Sequence, residues 1–200
     1  MKVKVIEKIS LRNLEYKCNQ THYSDELGGM NADMRIDFYY FDEDGNEVPV
    51  GHINIQRIAS SMRKFNNRML GSDYDTLTWM DDESLELSET AMIMQYSTTS
   101  ISADMFASLS YGDLYYIYRI YIEKQFRGFG IGSYIMRRLY RIVQMCAHEE
   151  SPILLLRAFP IEEKFMSEQW ESSQKRLMAW YEKVGFHRID DNADVMVRMR

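Results

Sequence analysis

The sequence contains few of the features that mark secreted and membrane-spanning proteins. Its 200 residues include two cysteines, Cys18 and Cys146, which are too few and too far apart for a disulfide framework and favour reduced thiols inside a cell. No apolar run approaches the roughly 18 residues that a membrane span needs. Residues 1–17 alternate charged and apolar side chains and have no signal-peptide core. We therefore expect a cytoplasmic protein with no membrane partner.

The chain also lacks an excess of positive charge and a segment that could act as a linker. Lysine and arginine number 24 against 30 aspartates and glutamates, so the net charge is −6 at pH 7. No basic tract stands out that could follow a phosphate backbone, and we expect no nucleic-acid partner. Only three prolines and ten glycines are present, and no stretch is long enough or rich enough in them to act as a linker between domains. Residues 1–200 are therefore predicted to form a single domain with a proper core.

The most informative stretch is residues 118–141, which combines a strand, a glycine-rich turn and a helix. β-branched and aromatic residues fill its first part and alternate with Arg119 and Tyr121. The turn Arg127-Gly-Phe-Gly130-Ile-Gly132 follows. Beyond it, apolar residues recur at helical spacing: Ile131, Ile135, Leu139, Ile142, Val143 and Cys146. Glycines before a helix let backbone N–H groups approach an anion, and the helix dipole adds to the attraction. The stretch therefore predicts a phosphate or pyrophosphate site.

The N-terminal half contains one clear hairpin. Residues 34–40 alternate as a strand, 42–46 turn the chain, and 50–58 return. His52 lies in the returning strand, where a structural role is the more common one. Residues 2–18 can supply one or two strands, and the polar segment 19–33 is predicted to be a loop.

The segment 59–112 is less regular. Residues 85–95 resemble a helix, and the acidic residues 81–84 before them either cap it or form an acidic rim that attracts an amine. The Ser/Thr-rich residues 97–110 are predicted to be a loop.

The C-terminal part predicts a buried strand, an excursion, a helix and two last strands. These are residues 152–159, 161–172, 174–184, 186–189 and 195–199 in turn. Gly185 is placed to end the helix.

Two motifs together resemble the GNAT superfamily of acyl-CoA-dependent N-acetyltransferases. The pyrophosphate-loop pattern R/Q-x-x-G-x-G/A fits in two frames, one from Gln125 to Gly130 and one from Arg127 to Gly132. The dinucleotide pattern G-x-G-x-x-G fails at Ser133, and the Walker pattern is absent. Tyr181-Glu-Lys-Val-Gly185-Phe186 then matches the Y-E-K/R-x-G-F end of a helix that commonly follows the loop at this separation. The resemblance covers residues 114–199 well and 34–58 loosely, and Lys124 stands where proline is usual.

This resemblance implies a fold, a donor and a reaction. The fold would be α/β (α+β), a GNAT-type mixed, twisted, mostly antiparallel sheet flanked by helices. Residues 114–200 would form the acyl-CoA-binding part and 59–112 a variable region. The donor would be acetyl-CoA, bound where neighbouring strands splay, and no metal is implied. The acceptor would be an amine of a small molecule or peptide that attacks directly in a ternary complex, and a homodimer is compatible with the resemblance.

The resemblance also assigns roles to particular residues. Ile120, Tyr121 and Ile122 would lie along the pantetheine arm, and the N–H of Ile122 would meet the oxyanion. Tyr181 would protonate the departing thiolate. Asp113 and Glu123 are two candidates for the base. The pyrophosphate would be held by the turn and the first helical residues: Arg127, Gly128, Phe129, Gly130, Ile131, Gly132 and Ser133.

Two rival functions remain open. The same fold could be a coenzyme A-binding regulatory module without turnover, or a toxin-like relative that acts on aminoacyl-tRNA, against which the acidic charge counts. The sequence does not identify the acceptor, because in this family the residues that contact it come from variable parts of the chain. Here these parts are residues 19–33, 59–112 and 159–173.

Overall fold

The computed structural model describes residues 11–24, 30–58, 89–90, 113–160, 167–189 and 194–199. Its strands and long helices follow the chain in the order β1 (Glu15–Ser24), β2 (Met30–Phe41), β3 (Glu47–Ile58), β4 (Leu114–Ile122), α1 (Ile131–Ala147), β5 (Ile153–Arg157), α2 (Glu168–Lys183), β6 (His187–Arg188) and β7 (Val195–Arg198).

The strands form one seven-stranded sheet in the order β1-β2-β3-β4-β5-β7-β6. Strands β4 and β5 are parallel, and every other neighbouring pair is antiparallel. A mostly antiparallel sheet with one parallel pair and two long helices confirms the predicted GNAT-type fold class.

The period-2 alternation of β1–β4 gives the sheet one apolar face. Cys18, Ile36, Ile53 and Ile120 lie side by side on it. Helix α1 packs against this face with its buried stripe, which is Ile131, Ile135, Met136, Leu139, Tyr140, Ile142 and Val143. The helix predicted from the 3.6-residue spacing is therefore confirmed.

The predicted hairpin is also confirmed, as β2 and β3. Its turn is closed by Asp42, whose Oδ1 accepts hydrogen bonds from the backbone N–H groups of Asp44 at 3.0 Å and Asn46 at 2.8 Å. Gly45 supplies the left-handed conformation that the turn requires, with φ +79°.

The prediction of a loop over residues 19–33 is wrong. Strand β1 continues to Ser24, and β2 begins at Met30 in register with it. Strand β1 lies at the edge of the sheet. An edge strand can pair through its backbone without alternating apolar and polar side chains, so the polar residues from Asn19 to Thr21 are tolerated there. Residues 25–29 lie outside the described residues.

Helix α2 begins earlier than predicted, at Glu168 rather than Gln174. Ser167 caps it, because its Oγ accepts a hydrogen bond from the backbone N–H of Trp170 at 3.1 Å. Glu168 and Glu171 lie in the first turn at the positive end of the helix dipole. Serine followed by acidic residues is the sequence signal from which the earlier start can be predicted.

The remaining predictions divide between described and undescribed segments. The buried strand after Pro152 and the two last strands are confirmed as β5, β6 and β7. Glu89 and Thr90 are helical, within the predicted helix 85–95. Residues 2–10 of the segment predicted to supply one or two strands, the rest of 59–112 and residues 190–193 between the two last strands lie outside the described residues. In the part of the chain that is described, no helix is long and apolar enough to cross a membrane.

The two cysteines, distant in sequence, are neighbours in the fold. Cys18 lies on β1 and Cys146 in the last turn of α1, and both thiols are free. The Gln20 side-chain Nε2 lies 4.0 Å from Cys18 Sγ and 2.6 Å from the carbonyl oxygen of Cys146. A hydrogen bond from the Cys146 thiol lowers the pKa of Cys18 to about 7, and the pKa of Cys146 is raised in turn.

Alkylation by iodoacetamide is therefore expected to show a pH midpoint near 7 for Cys18, because the thiolate is the reactive form. Cys146→Ala removes the donor and should move the midpoint upward, towards the ordinary thiol value of about 8.5. Mass spectrometry of labelled peptides measures both profiles, and Cys18→Ser isolates the slow labelling of Cys146. An unchanged midpoint in Cys146→Ala would show that the thiol–thiol contact does not set the pKa.

Candidate functional site

A cleft opens where β4 and β5 separate. The two strands pair only from Leu114 with Ile153 to Ile117 with Leu156, whereas β4 continues to Ile122. The cleft has a volume of about 800 Å³ and is lined by the open edge of β4, the glycine turn, the end of β5 and one side of α2. The parting of two parallel strands thus creates the space that the sequence analysis assigned to a donor.

The open edge of β4 presents backbone groups to the cleft at alternate residues. The N–H of Glu123 donates to the carbonyl oxygen of Val50 at 2.9 Å, and Tyr121 lies opposite His52 two residues earlier. Because antiparallel residues alternate between pointing at the partner strand and away from it, Ile120 and Ile122 direct their N–H and C=O groups away from β3.

A β-bulge lies at the point where β5 departs. Arg119 is opposite Asn54 and Ile117 is opposite Ile55, so Tyr118 is the extra residue between them. Its side chain is 42% exposed and lines the cleft. Bulges re-aim neighbouring groups and are common beside active sites.

The glycine turn exposes the N-terminus of α1 to the cleft. Gly128 and Gly130 adopt φ +83° and +79°, which favour glycine. The helix starts at Ile131 with Gly130 as its cap, no side chain bonds at that cap, and its first turn carries no acidic residue. The first N–H groups of a helix have no partner within it. Those of Ile131, Gly132 and Ser133 are therefore available to an anion at the positive end of the dipole, as the sequence analysis predicts.

Helix α2 fixes the start of α1 through Trp180. Its indole Nε1 donates to the Ser133 hydroxyl at 2.8 Å, and the ring lies so close that a Cβ on Gly132 would be 3.6 Å from it. This contact sets the wall of the cleft beside the anion site. The sequence analysis did not identify Trp180, although it stands next to Tyr181 in the second motif.

Tyr181 is buried, with 6% of its surface exposed, and lines the cleft. Its ring lies 4.8 Å from that of Trp180 and 5.8 Å from that of Phe186, measured between centroids. Burial raises the pKa of Tyr181 above its ordinary value. At neutral pH the side chain therefore carries its proton, and its hydroxyl can act as a donor.

The two candidate bases lie at opposite ends of β4, and neither lines the cleft. Asp113 precedes the strand and pairs with Arg57, whose Nε lies 2.8 Å from Oδ2. Glu123 follows the strand, where its Oε2 accepts a hydrogen bond of 3.3 Å from the Tyr121 hydroxyl.

Most of the predicted cofactor-binding residues are brought together. Phe129 is the exception, with its side chain 55% exposed at the tip of the turn. The others line the cleft: Ile120, Tyr121, Ile122, Arg127, Gly128, Gly130, Ile131, Gly132 and Ser133. Arg127 also holds the end of β4, because its Nε donates to the Ile122 carbonyl oxygen at 2.9 Å.

The described lining of the cleft is rich in arginine although the chain as a whole is acidic. Among the lining side chains that the structure describes are four arginines and no carboxylates, the arginines being Arg119, Arg127, Arg157 and Arg176. Arg157 pairs with two described carboxylates, those of Asp194 and Glu89. The charge therefore suits an anionic ligand. No cluster of three or more potential metal ligands occurs among the described residues.

Two further residues complete the surroundings of β4. A Cβ on Gly51 would lie 2.2 Å from the carbonyl oxygen of Tyr121, so glycine is needed for β3 to approach β4 here. His52 packs its ring 5.4 Å from that of Tyr121 and does not line the cleft. Burial, with Arg35 and Arg119, lowers the pKa of His52. Its position agrees with the predicted structural role.

The mixed sheet, the parted strands β4 and β5 and the glycine turn agree with the GNAT-type fold that the sequence resemblance implies. No protein-family model and no curated protein matches the sequence. Among solved structures, the chain is similar to a mutant of KacT at 13% identity, with a TM-score of 0.46, over 84% of this chain and 71% of that one. It is also similar to arylalkylamine N-acetyltransferase 2 from Aedes aegypti at 10% identity, with a TM-score of 0.40, over 82% of this chain and 71% of that one. Likenesses this weak give no information on the acceptor.

Proposed function

We propose that the protein transfers an acetyl group from acetyl-CoA to a primary amine. The observation that carries the proposal is the continuous path from the N-terminus of α1 along the open edge of β4 to the bulge at Tyr118. One end of this path binds an anion, its middle offers backbone hydrogen bonds, and its far end lies beside parted strands. Coenzyme A thioesters present a pyrophosphate, two amides and a thioester in the same order.

The donor fits the residues that line this path. Its pyrophosphate would be bound by the N–H groups of Ile131, Gly132 and Ser133, with the Arg127 guanidinium beside them. Its two amides would pair with β4 as an added strand does. Because Arg127 already holds the Ile122 carbonyl, we assign the amides to the N–H of Ile122 and the backbone groups of Ile120.

The length of the pantetheine arm places the thioester at the bulge. The extended arm measures about 15 Å, which corresponds to four or five strand residues at a rise of about 3.3 Å each. Counted from Ile122, at the pyrophosphate end, this distance reaches Tyr118 and Ile117. A hydrogen-bond donor stabilises the transition state only where the negative charge develops. We therefore propose that a backbone N–H of the bulge, rather than that of Ile122, contacts the oxyanion.

Tyr181 would complete the reaction as a proton donor. The amine nitrogen attacks the thioester carbonyl, the C–N bond forms, and the C–S bond breaks as the tetrahedral intermediate collapses. The departing thiolate takes the proton of the Tyr181 hydroxyl, which regains one from solvent. Apolar surroundings disfavour the free thiolate as they disfavour the phenolate, so a neutral tyrosine beside the sulfur assists its departure.

Thiol release from acetyl-CoA tests the proposal. Purified protein is incubated with acetyl-CoA and tryptamine, spermidine or a lysine-containing peptide, and free thiol is measured with a chromogenic disulfide. We expect acetyl-CoA to raise the Tm, because it binds the native state alone, and at least one amine to release thiol above the amine-free rate. A raised Tm without release by any amine would instead indicate a coenzyme A-binding regulatory module.

A further inference from the structure

Cys18 and Cys146 form a pair of free thiols that the proposed transferase function does not use, since neither residue lines the cleft. Cys18 lies on the face of β1 that packs against α1, opposite Ile36 of β2. Cys146 lies in the last turn of α1. The topology therefore places one thiol on each side of the contact between the edge strand and the helix.

The two side chains meet across this contact. The Cys146 thiol donates a hydrogen bond to the sulfur of Cys18. Gln20, two residues further along β1, ties the same parts together: its Nε2 donates to the Cys146 carbonyl oxygen at 2.6 Å and lies 4.0 Å from Cys18 Sγ. Gln20 and Cys146 are 126 residues apart in sequence, so the fold alone brings the thiols together.

The surroundings leave the pair accessible and without a charged neighbour. Both cysteines are partly exposed, so a small molecule in solution can reach them. Tyr16 lies beside the two thiols, and burial and the thiols raise its pKa, so its hydroxyl is neutral near pH 7. Among the described residues, the side chains that shift the pKa of either thiol are the other cysteine and the uncharged Gln20. The reactivity of the pair is therefore set mainly by the pair itself.

The pair consists of a nucleophile and a second thiol that can resolve the first product. The hydrogen bond from Cys146 lowers the pKa of Cys18 to about 7, so much of Cys18 is thiolate at neutral pH. The bond to Cys18 and burial raise the pKa of Cys146. Once Cys18 is in a mixed disulfide, it no longer carries the negative charge that opposes ionisation of Cys146. Cys146 therefore becomes reactive after Cys18 has reacted.

We propose that Cys18 and Cys146 are a reversible oxidation site, at which a low-molecular-weight disulfide such as oxidised glutathione converts the two thiols into a disulfide between β1 and α1. The proposal is independent of the transferase function, because it concerns the end of α1 that is remote from the cleft. The link would join the edge of the sheet to the helix that covers its apolar face.

The exchange conserves atoms and electrons. The Cys18 thiolate attacks one sulfur of oxidised glutathione, whose S–S bond breaks as the first glutathione thiolate leaves. Cys146 then loses its proton and displaces the second glutathione from Cys18, as the bond between the two protein sulfurs forms. The protons of the protein thiols pass through solvent to the glutathione thiolates. Two protein thiols are oxidised and one disulfide is reduced, and an excess of reduced glutathione reverses both steps.

The disulfide is expected to stabilise the folded protein. It closes a long loop that contains β2, β3, β4 and most of α1, and such a link removes conformational entropy from the unfolded chain. We expect the oxidised form to melt about 5 to 15 °C above the reduced form, from the usual stabilisation by a disulfide in a chain of this size. Differential scanning fluorimetry before and after treatment with dithiothreitol measures the difference.

The test is equilibration of the folded protein in mixtures of reduced and oxidised glutathione at neutral pH. The mixtures are quenched with acid, alkylated with iodoacetamide and digested without reductant. Mass spectrometry should find a cross-linked pair of peptides that contain Cys18 and Cys146, on a protein that remains monomeric. The same equilibrium in guanidinium chloride is the matched control. Its constant should be about 30- to 1000-fold smaller, because the unfolded chain does not hold the thiols together.

Single substitutions separate the two roles. Cys146→Ser removes the resolving thiol, so Cys18 should retain one glutathione as a stable mixed disulfide. Cys18→Ser removes the nucleophile, so Cys146 should acquire glutathione much more slowly than Cys18 does in Cys146→Ser. Neither variant should show the rise in Tm on oxidation. The comparison of folded and unfolded wild type needs no substitution, so the test stands even where a variant folds poorly.

Three results would overturn the proposal. The first is a stable glutathione adduct on Cys18 of the wild type without a cross-link, which would show that Cys146 does not resolve it. The second is an equal equilibrium constant in the folded and unfolded protein, which would show that the fold does not pair the thiols. The third is a cross-link between two molecules in place of one within the chain.

Discussion

Replacing Tyr181 with phenylalanine is expected to lower kcat by about 100- to 10,000-fold, the usual range for loss of a general acid. The aromatic body stays between Trp180 and Phe186, so the packing of the cleft wall is kept. The affinity for acetyl-CoA should hardly change, because the hydroxyl acts on the leaving thiolate in the transition state. Steady-state thiol release, normalised to the folded fraction, measures the effect.

Tyr115→Phe is the matched control for this prediction. Tyr115 is also buried, and burial raises its pKa, but it does not line the cleft. Its loss of a hydroxyl should alter stability and leave turnover per folded molecule unchanged. If Tyr181→Phe also turns over at the wild-type rate, Tyr181 is a packing residue and the thiolate takes its proton from elsewhere.

The parts of the fold that the sequence predicts are those set by local periodicity. The alternation in β2 and β3, the turn chemistry around Asp42 and the 3.6-residue stripe of α1 each depend on residues within one element. The anion site is predictable for the same reason, because glycines followed by a helical stripe place N–H groups at the helix start whatever surrounds them. Edge strand β1 and the first turn of α2 are harder to predict from the sequence, because burial there imposes a weaker pattern of apolar residues.

The parts that the sequence does not predict depend on pairing between distant segments. The bulge at Tyr118 exists only in the register of β4 against β3, and it decides where along β4 the thioester would lie. Glu89 and Arg157 are 68 residues apart, and no local pattern connects them. In the same way, the partner of Asp113 is Arg57, which lies in another strand. Candidate bases chosen by proximity in sequence therefore fall outside the cleft.

Gly130→Asp is expected to abolish the acetyl-CoA-induced rise in Tm and, with it, turnover. The carboxylate would stand at the cap of α1 and repel the pyrophosphate. Two unit charges about 4 Å apart near a protein surface interact by about 4 kcal/mol, which corresponds to about a thousandfold in Kd. Thermal-shift titration with acetyl-CoA, supported by calorimetry, measures the loss. A Cβ added at Gly130 would meet no other atom within 4 Å. The expected loss of acetyl-CoA affinity is therefore electrostatic and does not come from a steric clash.

Gly45→Asp controls for backbone strain in this experiment. Gly45 has the same φ, +79°, and equally open surroundings, but it lies in the β2–β3 turn outside the cleft. Both aspartates would adopt a conformation that costs about 1 to 3 kcal/mol for a residue other than glycine. The two variants should therefore lose similar stability without ligand, while only Gly130→Asp loses the response to acetyl-CoA. A full response in Gly130→Asp would show that the pyrophosphate is not bound at the start of α1, because a charge placed there would then leave the donor undisturbed.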